Sequence, residues 1–272
     1  MSLKAPIRPG SNELKERLNK QKCVFGTMIN SFLSPEVVRI LAGAGFDFVF
    51  IDMEHSPYTM ETIKELCITA RLSGIFPIVR VSEGLYHLIV RPLDNGASGV
   101  MIPRVDNHEQ ALNAARAIKY PPLGIRGCTM RDVLYGWRGK PPVKEYLEEL
   151  NRESFLVIQI ESVEALDNLD EILSVQGVDV ALVGPNDLSI SLGIPGEYDH
   201  PRMVEALDLV VEKAKQYQIA SGIHFVSMEL LKKWMDRGMT FIAFSNEMRM
   251  LYNTAKNAVE TLVNHASGQS NL

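Results

Sequence analysis

Five glycines in this chain occupy one kind of place. Gly45, Gly74, Gly96, Gly177 and Gly238 each end a stretch with helical periodicity, just ahead of a short, β-branched apolar stretch. A glycine there is the left-handed cap that stops an α-helix. Its recurrence with the period of a strand–helix unit predicts parallel strands joined by helical crossovers. Strands are expected over 24–30, 46–52, 76–81, 99–105, 155–161, 178–184, 219–224 and 240–246. Helical periodicity follows each in turn, over 35–45, 60–74, 85–96, 108–120, 163–177, 201–218, 228–238 and 248–266. Eight such units predict an α/β chain folded as a (β/α)8 TIM barrel. We expect one domain over 1–272, its core about 24–264, with SNELKERLNKQ adding an N-terminal helix across one end. One connection is far longer than its fellows. From Tyr120 to Ser154 the chain is rich in proline, glycine, arginine and aromatics, and a loop of that length is expected to be functional.

Charge and cysteines narrow the function classes. The net charge is -5 and no basic stripe is present, which argues against nucleic acid as a partner. No apolar run approaches the length of a membrane span. Cys23, Cys67 and Cys128 are scattered and form no CxxC pair, so a disulfide framework or zinc ribbon is not expected and the cytoplasm is.

Barrel enzymes build their sites at the C-terminal ends of the strands. The polar residues that fall there are Asp52, Glu54 and His55 after the second strand and Arg80 at the end of the third. Gln159 and Glu161 close the fifth, and Asp187 follows the sixth in GPNDLS. Gln159 and Glu161 are two apart, so both face the same side of the sheet. A buried, unpaired carboxylate costs several kcal/mol as an order of magnitude, so Glu161 should meet a cation or a metal ion. Each residue also has a plainer explanation. Asp52 or Glu54 could cap the next helix, His55 could be a structural hydrogen-bonder, and Arg80 could neutralise Asp52. Asp187 could be a turn aspartate. The case for a site is their convergence on one rim. Two carboxylates suit a hard divalent cation, Mg2+ or Mn2+ first, with Co2+ or Zn2+ as alternatives. None of the thirteen lysines falls in or at the end of an expected strand, which leaves Schiff-base chemistry without a candidate. His224 ends the seventh strand and is assigned a structural role. His87, His108, His200 and His265 lie in or beside helices, loops or the tail.

The segments GAGFDFVFIDMEHSP, PIVRV, GASGVMIPRV, KYPPLGIRG, VIQIES and VGPNDLSISLG occur in that order. In this the chain resembles the metal-dependent class II pyruvate aldolases of the HpcH/HpaI family, over about Gly26 to Leu262. The resemblance implies a barrel of the phosphoenolpyruvate/pyruvate type, a homo-oligomer (commonly a hexamer) and a C-terminal helix exchanged between subunits. It implies a keto-acid substrate cleaved to pyruvate and an aldehyde. Glu161 and Asp187 would be the metal ligands, with Gln159, Gly184 and Pro185 lining the substrate site. Arg80 would hold the developing enolate, and His55 would be a base oriented by Asp52. The chain departs from the family pattern at Met53, at FSNEM in the eighth strand and at CTMRDVLYGWRGK after GIRG. These segments are expected to shape the aldehyde side, with Arg126, Arg131, Trp137 and Arg138 suited to an acidic or hydroxylated aldehyde. Alternatives are an oxaloacetate decarboxylase or citrate-lyase-like enzyme, or a barrel that binds a keto acid without turnover.

Overall fold

The computed structural model describes residues 11–130 and 141–269. Eight parallel strands pair in chain order and close into a barrel. They are β1 (Val24–Ile29), β2 (Phe48–Asp52), β3 (Phe76–Arg80), β4 (Gly99–Ile102), β5 (Phe155–Ile160), β6 (Val180–Val183), β7 (Ala220–Phe225) and β8 (Phe241–Asn246). All five glycines take left-handed backbone, at φ from 78° to 112°; four of them end helices, while Gly177 sits in a turn three residues past Ser174, which caps its helix. Only glycine adopts that conformation without strain, so the helix stops are written into the chain.

Alternate residues of each strand point inward. Phe48, Phe50, Phe76, Ile78, Phe155, Val157, Leu182 and Phe241 fill the lower and middle interior. Phe48 stacks on Phe241 with ring centroids 4.1 Å apart. Continuing the same alternation upward, β2 presents Asp52, β3 presents Arg80 and β5 presents Gln159. The barrel interior therefore changes from apolar to charged at its C-terminal end, which locates the chemistry. A second, larger apolar cluster fills the layer between the strands' outer faces and the helices.

The helix Ser11–Asn19 closes the opposite end, as expected. Its Leu14 and Leu18 join the interior cluster. Lys15 pairs with Asp179 at 2.9 Å, and Arg17 pairs with Asp47. Leu18→Ala should lower stability by about 2–4 kcal/mol, at the lower part of the range for a buried leucine. A thermal melt of the variant checks this, and an unchanged melting temperature would show that the helix is a dispensable appendage.

Three expectations about elements need correction. The Tyr120–Ser154 connection contains a helix, Val143–Glu153, which buries Tyr146, Leu150 and Asn151. Asn151 fastens it by accepting from the Tyr120 N–H at 2.6 Å and donating to the Tyr120 carbonyl at 3.2 Å. The helical stretch after β5 is two pieces, Val163–Asp167 and Leu169–Leu173. It breaks at Asn168, whose side-chain amide donates to the Asp106 carbonyl at 2.8 Å. GPNDLS opens a short helix, Pro185–Ser191, so Asp187 stands in its first turn. Arg131, Trp137 and Arg138 lie outside the described residues. Among the described residues, no helix is long and apolar enough to cross a membrane.

Candidate active site

The register of the barrel makes the first contact of the site. Asp52 and Arg80 are direct cross-strand partners at the ends of β2 and β3. Their side chains meet in a two-pronged ion pair: Arg80 Nε to Asp52 Oδ1 at 2.8 Å and Nη2 to Oδ2 at 2.9 Å. Asp52 is buried and its Oδ1 also accepts the Glu54 N–H at 3.0 Å. Burial opposes the charge on Arg80, but the Asp52 hydrogen bonds and the charges of Asp52, Glu54 and Glu161 outweigh it. The guanidinium is held above its ordinary pKa and stays charged.

This corrects the expected Asp52–His55 pair. Asp52 is committed to Arg80, while His55 stands on the following loop with its side chain 67% exposed. Its nearest carboxylate is Glu54, 3.8 Å from Nε2, which is too long for a hydrogen bond.

Glu54, placed on the rim by its sequence but given no role there, and Arg104, not expected there, tie the site together. The buried Glu54 carboxylate lies 3.2 Å from Arg80 Nη1 and 2.8 Å from Arg104 Nη1. Arg104, just past β4, has left-handed backbone at φ 49°. That turn directs its N–H onto Glu161 Oε1 at 2.8 Å. Glu161 Oε2 accepts from Gln159 Nε2 at 2.6 Å. The charges thus run Asp52, Arg80, Glu54, Arg104, Glu161, with Asp187 close enough to be felt by Glu161. With all four carboxylates ionised, the excess over the two guanidiniums would be two negative charges.

Several observations bear on whether a divalent metal fits there. Glu161 is buried, and burial pushes its carboxyl up to about 7; Asp187 and Glu54 push the same way, against the Arg104 N–H and Arg80. Gln159 Oε1 is buried with no hydrogen-bond partner among the described residues. Gly184 opens the space beside both. A Cβ there would stand 2.6 Å from Glu161 Oε2 and 2.8 Å from Gln159 Nε2. Among the described residues no three His, Cys, Asp or Glu side chains gather to hold a metal. The protein therefore offers two hard carboxylates and room for oxygen ligands from elsewhere, which suits a metal that also binds substrate. The donor set fits. Gly184→Ala should accordingly lower divalent-metal affinity at least tenfold, by displacing Glu161, while the melting temperature of metal-free protein moves little. Calorimetric titration with Mn2+ measures it, and unchanged affinity would place the metal away from this cradle.

Arg126, expected to face the aldehyde, is buried instead. It pairs with Asp94 at 2.8 Å and lies over the Tyr120 ring at 4.7 Å. Its charge is spent inside the fold. Two clefts lie elsewhere, one beside the N-terminal helix at Lys15 and Asp179 and one between Pro121–Leu123 and the helix Val143–Glu153. Neither includes a residue of the charged rim.

The model of the HpcH/HpaI aldolase/citrate lyase family matches residues 29–254, most of the chain. The chain belongs to that family. Relatives named 2-keto-3-deoxy-L-rhamnonate aldolase, from Shigella sonnei and Escherichia coli K12, are each 34% identical over 245 residues, 90% of this chain and 90% of theirs. A crystal structure of an HpcH/HpaI aldolase from Desulfitobacterium hafniense DCB-2 superposes with a TM-score of 0.86 at 35% identity, covering 92% of this chain and 96% of that one. Another, described as citrate synthase SbnG, gives 0.83 at 28% identity, covering 93% and 98%. The chain is a carbon–carbon lyase, and aldolases of its family depend on a divalent metal ion.

Proposed function

We propose that this lyase reversibly cleaves a 4-hydroxy-2-oxo acid of the 2-keto-3-deoxy type to pyruvate and an aldehyde. Glu161 and Asp187 would hold the metal, Mg2+ or Mn2+, and Gln159, Gly184 and Pro185 would line the keto-acid site. The observation that carries this is the buried Glu161, held by an N–H and an amide yet short of a cation, three links along the charge chain from the clamped Arg80. The metal, when bound, supplies Lewis-acid polarisation of the keto group. Arg80 faces the oxygen on which negative charge develops, and its bonds to Asp52 keep it aimed there at no reorganisation cost. In cleavage His55 takes the proton of the 4-hydroxyl, the C3–C4 bond breaks, and its electron pair passes into the enolate. A proton returned to C3 completes pyruvate. His55 is exposed enough for a water to relay that proton.

Pyruvate release from a panel of 4-hydroxy-2-oxo acids, with and without EDTA, tests this. Release should stop with EDTA and return with Mg2+ or Mn2+. Oxaloacetate belongs in the panel, because the family model spans citrate lyases as well. Faster turnover of oxaloacetate than of every hydroxy acid would overturn the aldolase assignment in favour of decarboxylation.

A homo-oligomer goes with this function. The last helix, Glu247–Gln269, exposes Leu251, Tyr252, Val259, Leu262 and Val263, each by more than half. Their spacing makes one apolar stripe, as an exchanged helix in a hexamer would need. The described cysteines are all free thiols, in keeping with the cytoplasm.

A further inference from the structure

The inner face of the barrel carries one titratable group that the mechanism above leaves unused. His224 is the penultimate residue of β7. On that strand Ala220 packs with the interior cluster, and a side chain on Gly222 would strike Phe241. His224 follows them in the same alternation. Its ring stands edge-on to interior Phe50, with centroids 6.3 Å apart. It therefore shares the charged top layer with Asp52, Arg80 and Gln159.

Its tautomer is set by its neighbour. Nε2 lies 2.8 Å from the carbonyl oxygen of Ser245. A carbonyl only accepts, so Nε2 carries the proton. Ser245 holds left-handed backbone at φ 56°, rare for a residue with a side chain, and its carbonyl meets the ring from there. Burial lowers the imidazole pKa and Arg80 adds to that, against the Ser245 hydrogen bond and Asp52. The neutral ring keeps a lone pair on Nδ1. That atom hydrogen-bonds no described residue, and it is not among the buried polar atoms left without a partner. An inward-facing, half-buried side chain at this end of the barrel exposes its free edge to the mouth.

The keto-acid half of the substrate engages β3, β5 and β6, which carry or precede Arg80, Glu161 and Asp187. With β2 and β4 leading into Glu54, His55 and Arg104, the wall left for the rest of the substrate is β7, β8 and β1. We propose that His224 is a specificity-determining residue whose Nδ1 accepts a hydrogen bond from a hydroxyl on the aldehyde half, so that the substrates are 2-oxo acids whose aldehyde product is hydroxylated. This rests on the aldolase function proposed above. A plain alkyl chain against this wall would bury an acceptor without a partner, which penalises it.

The test compares glyceraldehyde with propanal, the same carbon skeleton without hydroxyls, as acceptors for pyruvate in the Mn2+-loaded enzyme. Wild type should prefer glyceraldehyde in kcat/KM by about tenfold or more, the scale of one good hydrogen bond. His224→Leu should erase the preference, chiefly through a higher KM for glyceraldehyde. His224→Phe, which keeps the edge contact with Phe50, should do the same. His224→Gln, with a donor for Ser245 and an acceptor of its own, should restore most of it. Equal losses on both aldehydes would reduce His224 to a prop for Ser245 and overturn the proposal, as would a wild type without preference. Deuterium exchange into the pyruvate methyl group by wild type keeps the two ideas apart. Without exchange the aldolase function itself fails; with exchange but no aldehyde preference, only the role of His224 does.

Discussion

Glu161→Gln should abolish turnover and, in protein stripped with EDTA, raise the melting temperature at pH 8. Both effects have one cause. Glu161 is 6% exposed and lies among negative charges, so burial and those charges hold its carboxyl up at about 7 in the metal-free fold. A carboxyl whose folded pKa is raised contributes stability only while it binds its proton. That contribution is complete below the ordinary carboxylate pKa and is lost as pH rises through about 7. At pH 8 the stripped wild type therefore carries a cost on the order of 3 kcal/mol, several degrees in melting temperature. Glutamine removes the charge and the cost; at pH 5 the two proteins should melt nearly together. A divalent cation reverses the sign by giving the carboxylate its partner. Added Mn2+ should stabilise wild type at pH 8 and leave the variant unmoved. Two results would sink the ligand assignment: wild-type turnover in the variant, or the same Mn2+-dependent rise in melting temperature.

The barrel was legible because its signals are local. Each of the five glycines answers a backbone need that only glycine meets easily, all five take the left-handed conformation, and four of them end helices. The rim residues were legible for a related reason. The two-residue alternation of a strand fixes which side Gln159 and Glu161 share, whatever lies across the barrel. What stayed hidden depends on conformation or on distant strands. Arg104 enters the site because of a left-handed turn at a residue that is not glycine, and no composition signal marks such a turn. The rim position of Glu54 was legible but not its role, because arginines from two other segments recruit it. The helix Val143–Glu153 was masked by the proline- and glycine-rich chain ahead of it. Arg126 looked available because its partner Asp94 is 32 residues away. In each case the missing information was a tertiary contact.

The same distinction decides the second large effect. His55→Ala should lower kcat by roughly 10²–10⁴-fold, the scale of general acid–base catalysis. Pyruvate affinity should change little, because in the proposed site the metal ligands and Arg80 carry it. The family resemblance implied that Asp52 works through His55, three residues along the same segment. The structure instead joins Asp52 to Arg80 by two hydrogen bonds and leaves His55 on the open side of the loop. The two arrangements differ in their double mutant. If Asp52 only orients His55, then once His55 is gone Asp52→Asn costs nothing more, as within any unit acting together. If Asp52 acts on Arg80, the single losses should multiply, and Asp52→Asn alone should raise the pyruvate KM and slow methyl exchange. Multiplying losses are the expected result. A double mutant no worse than His55→Ala would restore the Asp52–His55 pair, and an unchanged kcat in His55→Ala would place the proton on another group.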